Sequence, residues 1–340
     1  MTGSSSMTDI TATDTGRSRL LGYLDRFGII VVVLLMIAVL TYLEPRYFLT
    51  FRNFSNILKQ IAENAMLSLG MLLVILTAGI DLSVGSVLAL GMMCLVMADV
   101  AGWPWWIVIF IGPLVGLAVG LFNGLGLTLL RLPHPFIMTL GTLFAVRGLT
   151  NLISGGVPYS GLSYPVRFAG SEQIPLPFLG PGVTLPVSAI IVTIAYIAVS
   201  LFLRKAAVGR HIYAVGGNPH AARVSGINVD RVLLLVYALC GFFAGTAGLL
   251  TAGRTNSGFP LAGTGAELEA IAAVIIGGAS FFGGRGTVLG VMGGVLIMGL
   301  LRNGLNLQNV SVFWQQLLIG FIIILAVWVD VLRRRAAVRK

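Results

Sequence analysis

Charged residues are scarce in this chain of 340 residues. Only 10% of the residues are Asp, Glu, Lys or Arg, whereas 57% are hydrophobic, and the mean hydropathy is +0.96. A soluble domain carries about 25% charged residues, and disordered chains are low in hydrophobicity, so both classes are excluded. The alternating pattern of an outer-membrane barrel is also missing. The composition is therefore that of a polytopic helical membrane protein.

Lysine, histidine and cysteine are rare, and each scarcity excludes a kind of site. None of the three lysines, Lys59, Lys205 and Lys340, follows a glycine as in the Gly-Lys-Ser/Thr of a P-loop. The three histidines lack metal-ligand spacing, and Cys94 and Cys240 lie in apolar runs without a disulfide framework. We therefore expect no enzyme activity from this chain alone, no metal site and no cofactor bound by it.

Long apolar stretches recur along the chain, and a membrane span needs about 20 such residues. Ten stretches are candidate spans: 27–43, 64–80, 82–98, 100–130, 136–153, 185–203, 232–252, 266–282, 286–301 and 313–329. The sequence thus predicts an all-α membrane protein with about ten transmembrane helices. It divides into a polar tail over 1–26, a membrane domain over 27–332 and a basic tail over 333–340.

The net charge of +10 indicates how a membrane protein of this class is oriented in the membrane. In a soluble chain it would suggest nucleic acid, but basic residues of a membrane protein concentrate in its cytoplasmic loops. With the N-terminus inside, 15 basic residues fall on the inner side and 7 on the outer side. This bias predicts two cytoplasmic termini, an external segment 154–184 and a cytoplasmic segment 204–231, with no nucleic-acid partner.

Glycines recur at a spacing of four, which places them on single helix faces. The sets are Gly112, Gly116, Gly120 and Gly124; Gly241 and Gly245; and Gly286, Gly290 and Gly294. Small residues let helix backbones approach closely in lipid. Such faces indicate dense packing, and a gliding or gating surface is the second interpretation.

An acidic residue interrupts two apolar stretches in the segment 78–86, which reads Ala-Gly-Ile-Asp-Leu-Ser-Val-Gly-Ser. A charge at membrane depth costs about 2.5–3.5 kcal/mol on insertion scales and is usually functional. Asp81 therefore either lines a pathway or, with Ser83, caps the next helix at a turn. The two interpretations are compatible, because a broken helix that lines a cavity also needs a cap.

The cytoplasmic segment 209–226 contains the signals of a short helix. Asn218 suits the N-cap, Pro219 suits the first helical position, and Gly226 suits the left-handed residue after the helix. They predict a helix of about two turns, which is marginal in water by itself. Two interpretations remain open, a helix that docks on a partner and an ordinary loop.

Four blocks of sequence resemble one known family. They are 78–86, 123–142, the cytoplasmic segment 209–226, and 267–280, which begins Glu-Leu-Glu-Ala and includes Gly-Gly-Ala-Ser. Together they are similar to the permease subunits of bacterial ABC importers for simple sugars, the ribose, xylose, arabinose and autoinducer-2 group, over about 48–331. Related amino-acid and nucleoside permeases resemble the chain less, because they lack the Asp-Leu-Ser-Val-Gly-Ser run.

The resemblance implies a transport complex in the lipid of the inner membrane. It contains a second permease subunit (the same chain or a close homologue), a cytoplasmic ATPase pair that binds the ATP and Mg, and an extracytoplasmic sugar-binding protein. The short helix of segment 209–226 then looks like the coupling helix that docks on the ATPase. Its residues are Gly217, Asn218, Pro219, Ala221, Ala222, Arg223, Ser225 and Gly226.

The same resemblance directs attention to polar residues that would line the translocation path, since hydroxyl and amide groups suit a sugar. The candidates are Asn64, Asp81, Ser83, Asn123, Thr139 and Thr142, with Phe136 as an aromatic that would stack on a sugar face, and the acidic pair Glu267 and Glu269. An ion-coupled secondary transporter or channel is the alternative. It would use Asp81, Glu267 and Glu269 as its intramembrane ionisable groups.

Overall fold

A computed structural model describes residues 12–132, 134–180 and 182–338, and the side chains of 28–332 apart from residues 133, 179 and 181. The described residues form an almost wholly helical chain, so the predicted all-α class is confirmed. The helices are α1 (Ala12–Leu43), α2 (Phe51–Leu76), α3 (Val84–Val100), α4 (Trp105–Leu129), α5 (Pro135–Ser154), α6 (Tyr164–Ser171), α7 (Val187–Lys205), α8 (Ala207–Gly217), α9 (Pro219–Val224), α10 (Val229–Thr255), α11 (Ala266–Ile276), α12 (Val288–Leu307) and α13 (Val312–Val338).

Among the described residues, strands are confined to two short antiparallel ribbons. The four strands are β1 (Tyr159–Ser160), β2 (Gln173–Pro175), β3 (Thr184–Pro186) and β4 (Ser257–Gly258). In the first ribbon, β1 pairs with β4, and Tyr159 lies opposite Gly258. In the second, β2 pairs with β3, and Ile174 lies opposite Leu185. With α6 and a 3-10 turn at Pro177–Leu179, these ribbons give structure to the segment 154–184, which was predicted as a loop.

Each predicted apolar stretch overlaps one helix. Seven helices of the described chain are long and apolar enough to cross a membrane, namely α2, α4, α5, α7, α10, α12 and α13. The apolar parts of α1 (Gly28–Leu43) and α3 are shorter. Helix α11 has 11 residues, or about 16 Å, which is half the thickness of the hydrocarbon layer. The total of ten spans and the cytoplasmic termini remain predictions.

Several predicted boundaries were wrong. Helix α2 begins at Phe51, 13 residues before the predicted start. Its first half is amphipathic and contains charged residues, so it does not stand out in the sequence as an uncharged apolar stretch. Helix α11 ends at Ile276, since Gly278 after it has a φ of +82°. The segment 204–231 is mostly helical, as α8 and α9 occupy it. Helices α1 and α13 extend into the predicted tails, and residues 1–11 and 339–340 lie outside the described residues.

Helix α10 lies at the centre of the bundle and packs against α2, α3 and α4. Its contact with α4 is backbone against backbone. A Cβ atom built at Gly116 would clash with the carbonyl of Gly241, and one built at Gly245 would clash with the carbonyl of Gly112. The predicted glycine faces of α4 and α10 are therefore packing surfaces. On α12, Gly290 and Gly294 pack closely on Gly277 and Ala273, but Gly286 precedes the helix, so its predicted place on that face was wrong.

This close approach predicts opposite effects for two glycine-to-alanine changes. Gly116→Ala is expected to lower the thermal unfolding temperature of the detergent-purified chain, because an inserted methyl in a tight contact costs about 1–3 kcal/mol. The control is Gly148→Ala, since an added Cβ at Gly148 meets nothing within 4 Å and alanine favours the helix. A Gly116→Ala variant as stable as the control variant would contradict the packing.

Candidate functional site

The chain between α2 and α3 forms a turn that is held by the Asp81 carboxylate. Helix α2 ends at Leu76, and Ala78 then adopts a φ of +60°, which a residue with a side chain rarely does. Asp81 Oδ1 accepts hydrogen bonds from the Ser83 backbone N at 2.9 Å and from Ser83 Oγ at 2.6 Å. Ser83 itself makes no side-chain cap bond. Asp81 therefore fixes the loop that precedes α3 through an Asx turn.

A chain of hydrogen bonds continues from this loop into α4 and α5. Asn123 Nδ2 donates to Ser83 Oγ at 2.9 Å, and Thr142 Oγ1 donates to Asn123 Oδ1 at 2.6 Å. We call Asp81, Ser83, Asn123 and Thr142 the Asp81 network. Because every member is paired, the network ties together three elements that lie far apart in sequence.

Two further hydroxyl groups donate to the carbonyl of Ile80 in the same loop. Thr139 Oγ1 lies 3.3 Å from it, and Tyr237 Oη lies 3.4 Å from it. Five predicted path residues thus come together, but they are at most 3% exposed. They are Asp81, Ser83, Asn123, Thr139 and Thr142. In this structure they form an interior polar core rather than the wall of an open path.

A second polar group lies where α2, α10, α11 and α12 meet. Glu63 Oε2 accepts a hydrogen bond from Thr251 Oγ1 at 2.9 Å and pairs with Arg254 Nη2 at 3.3 Å. Glu269 pairs with Arg302, and Glu63 is near enough to Glu269 for their charges to interact. We call Glu63, Arg254, Glu269 and Arg302 the outer charged cluster, because the predicted topology places Arg254 and Arg302 on the outer side. Its four side chains are 19–48% exposed.

The other predicted glutamate, Glu267, lies at the start of α11 beside the first turn of α3. A Cβ atom at Gly85 would collide with the Glu267 carboxylate. Arg147 of α5 donates from Nη1 to the carbonyls of Pro260 at 2.6 Å and Ala262 at 2.8 Å, and its charge also acts on Glu267. The loop before α11 is thereby fastened to α5, and the N-terminal ends of α3 and α11 meet.

Besides Glu267 and Glu269, two more predicted path residues lie apart from the Asp81 network. Asn64 is half-buried on α2, where its Oδ1 accepts from Ser68 Oγ at 3.1 Å. Phe136 is the second residue of α5 and is 42% exposed. The sequence reasoning missed Glu63, Arg147, Arg254 and Arg302 as site residues, because it counted the three arginines only for orientation. A signal was present in Glu63, which directly precedes a predicted span.

The predicted short helix is confirmed as α9. Asn218 Oδ1 accepts from the Ala221 backbone N at 3.0 Å, Pro219 is the first helical residue, and Gly226 has a φ of +84°. All the predicted coupling residues of this helix are exposed except Ala222, which is 4% exposed and packs against the chain itself. Val224, which was not predicted, is 78% exposed.

Helix α8 joins α9 to the two loops that follow α2 and α11. Gly216 packs so closely on the carbonyl of Leu76 that a Cβ atom there would clash with it. The Gly284 backbone N donates to the same Leu76 carbonyl at 2.9 Å, and Tyr213 Oη donates to the Gly286 carbonyl at 2.9 Å. Helix α8 therefore contacts the end of α2, which the Asp81 loop follows, and the loop after α11.

Comparison with known proteins places this geometry in context. Residues 53–327 match the family model described as branched-chain amino acid transport system / permease component. The ribose import permease protein RbsC of Bacillus subtilis (strain 168) is 39% identical over 93% of this chain and 95% of its own. The D-allose transport system permease protein AlsC of Escherichia coli (strain K12) is 38% identical, covering 90% and 91%.

A third relative is more distant but equally extensive. The xylose transport system permease protein XylH of Escherichia coli (strain K12) is 33% identical over 92% of this chain and 93% of its own. The similarity therefore spans the Asp81 network, the outer charged cluster and the α8–α9 segment together. No solved structure matches the chain.

Proposed function

We propose a specific role for this chain, which belongs to the family of transport-system permease components: it is the transmembrane subunit of an ATP-driven importer of a monosaccharide or a similar small polyol. The observation that carries this proposal is the 33–39% identity, across nine-tenths of the chain, to permeases named for ribose, allose and xylose. The family description mentions branched-chain amino acids, but these full-length relatives support a sugar.

The chain is a multi-pass protein of the cytoplasmic membrane. In the proposed complex it pairs with a second permease subunit, docks on a cytoplasmic ATPase pair and receives sugar from an extracytoplasmic binding protein. ATP and Mg bind to the ATPase, and the chain has no catalytic site of its own. The exposed six-residue helix α9 supports a docking role, because a helix of this length gains its stability from contacts.

The contacts suggest how ATP binding would reach the membrane. Closure of the ATPase pair moves the docked α9, and α8 moves with it. Through Gly216 and Tyr213, α8 then displaces the loops after α2 and α11. The Asp81 network joins the first loop to α4 and α5, so these helices move as a unit. Such rocking of rigid groups of helices is the usual basis of alternating access.

The ion-coupled alternative has less support from the geometry. Glu63 and Glu269 are paired with arginines, and the charge of Arg147 acts on Glu267. Asp81 is enclosed by its own hydrogen bonds. Carboxylates that are already compensated are poor candidates for binding a coupling ion. The arrangement favours a chain that transmits an external force.

The proposal is tested by isolating the chain with its partners. A tagged chain is expected to co-purify with an ATPase, and the purified chain alone is expected to hydrolyse no ATP. Vesicles that contain the whole complex are expected to accumulate ribose, allose or xylose when ATP is supplied, and to leave leucine outside. Accumulation of leucine and of no sugar would overturn the sugar assignment. ATP hydrolysis by the chain alone would contradict the proposal that a separate subunit hydrolyses the ATP.

A further inference from the structure

The first half of α2 carries a polar stripe along one face. Its members are Asn56, Gln60, Glu63 and Asn64, at relative positions 0, 4, 7 and 8. With 3.6 residues per turn, these positions fall within an arc of about 100°. Ile57, Ile61 and Ala62 of the same half are buried. We call the four residues the α2 stripe.

The α2 stripe has hydrogen-bonding groups that the protein does not use. Asn56 and Gln60 are exposed, and among the described residues neither side-chain amide has a protein partner. Glu63 and Asn64 are half-buried and are held by Thr251 and Ser68, respectively. The stripe then ends, because every residue of α2 from 65 to 76 is buried.

A lipid-facing position does not suit these side chains. Helix α2 is one of the helices able to span the membrane, and unpaired amides and carboxylates in hydrocarbon are costly. The outer charged cluster continues the polar surface through Glu63 to Arg254 and Glu269. A polar stripe on one side of a membrane helix, which includes one charge and lies next to three more, is therefore expected to face water.

We infer that the α2 stripe lines the outer part of the water-filled pathway and contacts the hydroxyl groups of the transported carbohydrate. Each amide offers two donors and an acceptor, and a carboxylate offers acceptors only. An uncharged polyol presents matching hydroxyl groups, each both donor and acceptor. Asn64 lies 12 residues, or about 18 Å, before the end of α2 at Leu76, so an incoming sugar meets the stripe before it reaches the Asp81 loop.

The first test measures whether the stripe faces water. Gln60→Cys is introduced into a chain whose Cys94 and Cys240 are replaced by alanine, and the assembled complex is exposed to a membrane-impermeant maleimide from the outside. The side chain is expected to be labelled, and saturating sugar is expected to slow the labelling. The matched control is Thr193→Cys on α7, an exposed position beside the exposed, apolar Ile194 and Ile197. Equal absence of labelling at both positions would overturn the pathway assignment.

The second test measures contact with the sugar. Its substitutions nearly keep the shape of the side chain and have helix propensities at least as high as those of the original residues, so α2 is expected to stay intact. Gln60→Met and Asn56→Leu are each expected to reduce uptake at low sugar concentration about 5-fold, the value of one lost hydrogen bond of about 1 kcal/mol. Thr193→Val is expected to leave uptake unchanged. Wild-type rates in both stripe variants would contradict the contact.

This inference rests on the proposed function, but different experimental results would contradict each of them. If the wild-type complex accumulates no monosaccharide, the proposed function and the carbohydrate assignment are both wrong, and the labelling still decides whether the α2 stripe faces water. If the wild type accumulates sugar while the stripe variants are unaffected and unlabelled, only this inference is wrong.

Discussion

Val224→Asp is expected to abolish ATP-driven uptake while leaving the chain inserted in the membrane. Val224 is 78% exposed on the six-residue helix α9, so the change disturbs little packing inside the chain. If α9 docks in a groove of the ATPase, the new carboxylate loses its hydration there without a partner, which costs several kcal/mol. The measurement is a pull-down of the ATPase together with sugar-stimulated ATP hydrolysis in reconstituted vesicles.

The control for this prediction is Val224→Thr, which keeps the shape and adds no charge, and which is expected to retain the ATPase and most of the uptake. Ala222 is not a suitable position for the test. It was predicted as a coupling residue, but it is buried against the chain, so Ala222→Asp would disrupt α9 itself. ATPase binding and uptake at wild-type levels in Val224→Asp would show that the docking surface lies elsewhere.

The second large effect is expected at Asp81, where two substitutions separate a structural role from a role in transport. Asp81→Leu removes the acceptor of the Ser83 amide and hydroxyl inside the protein. A buried donor left unpaired costs about 1–3 kcal/mol. The leucine variant is therefore expected to unfold at a lower temperature and to lose uptake.

Asp81→Asn retains an oxygen for both hydrogen bonds and is expected to keep the fold and much of the uptake. Thermal unfolding in detergent and uptake in vesicles check the two variants side by side. A stable asparagine variant without uptake would assign the carboxylate charge to transport and favour the ion-coupled alternative. A leucine variant as stable as wild type would contradict the structural role of the Asp81 network.

The sequence predicted features that depend on neighbouring residues. Helix α9 was predicted with its N-cap at Asn218 and its end before Gly226. Both signals can be read from the sequence because a helix cap depends only on residues within one turn of the helix end. The apolar stretches predicted the membrane helices for the same reason. The glycine spacing predicted close-packed faces on α4 and α10, but not that these two faces contact each other. The start of α2 was missed, since its polar half reads as a loop unless its buried and exposed faces are separated.

Features that depend on long-range packing were only partly predicted. The members of the Asp81 network were predicted as path residues, but their burial was not foreseen, because Asn123 and Thr142 reach Ser83 only through the arrangement of three helices. The outer charged cluster joins Glu63 to Arg254, 191 positions away. No local pattern reports such a pair, so Glu63 was not predicted as a site residue and Arg254 was counted only for orientation. Gly216 was missed because its neighbour Leu76 lies in another helix.

The energy source of uptake tests the proposed function most directly. The chain, its ATPase and its binding protein are reconstituted in vesicles without an ion gradient, and accumulation of labelled sugar is measured with ATP supplied to the ATPase side. Accumulation that requires ATP hydrolysis and persists in the presence of ionophores is the predicted result. Accumulation without ATP that an ion gradient drives and ionophores abolish would contradict the proposed function.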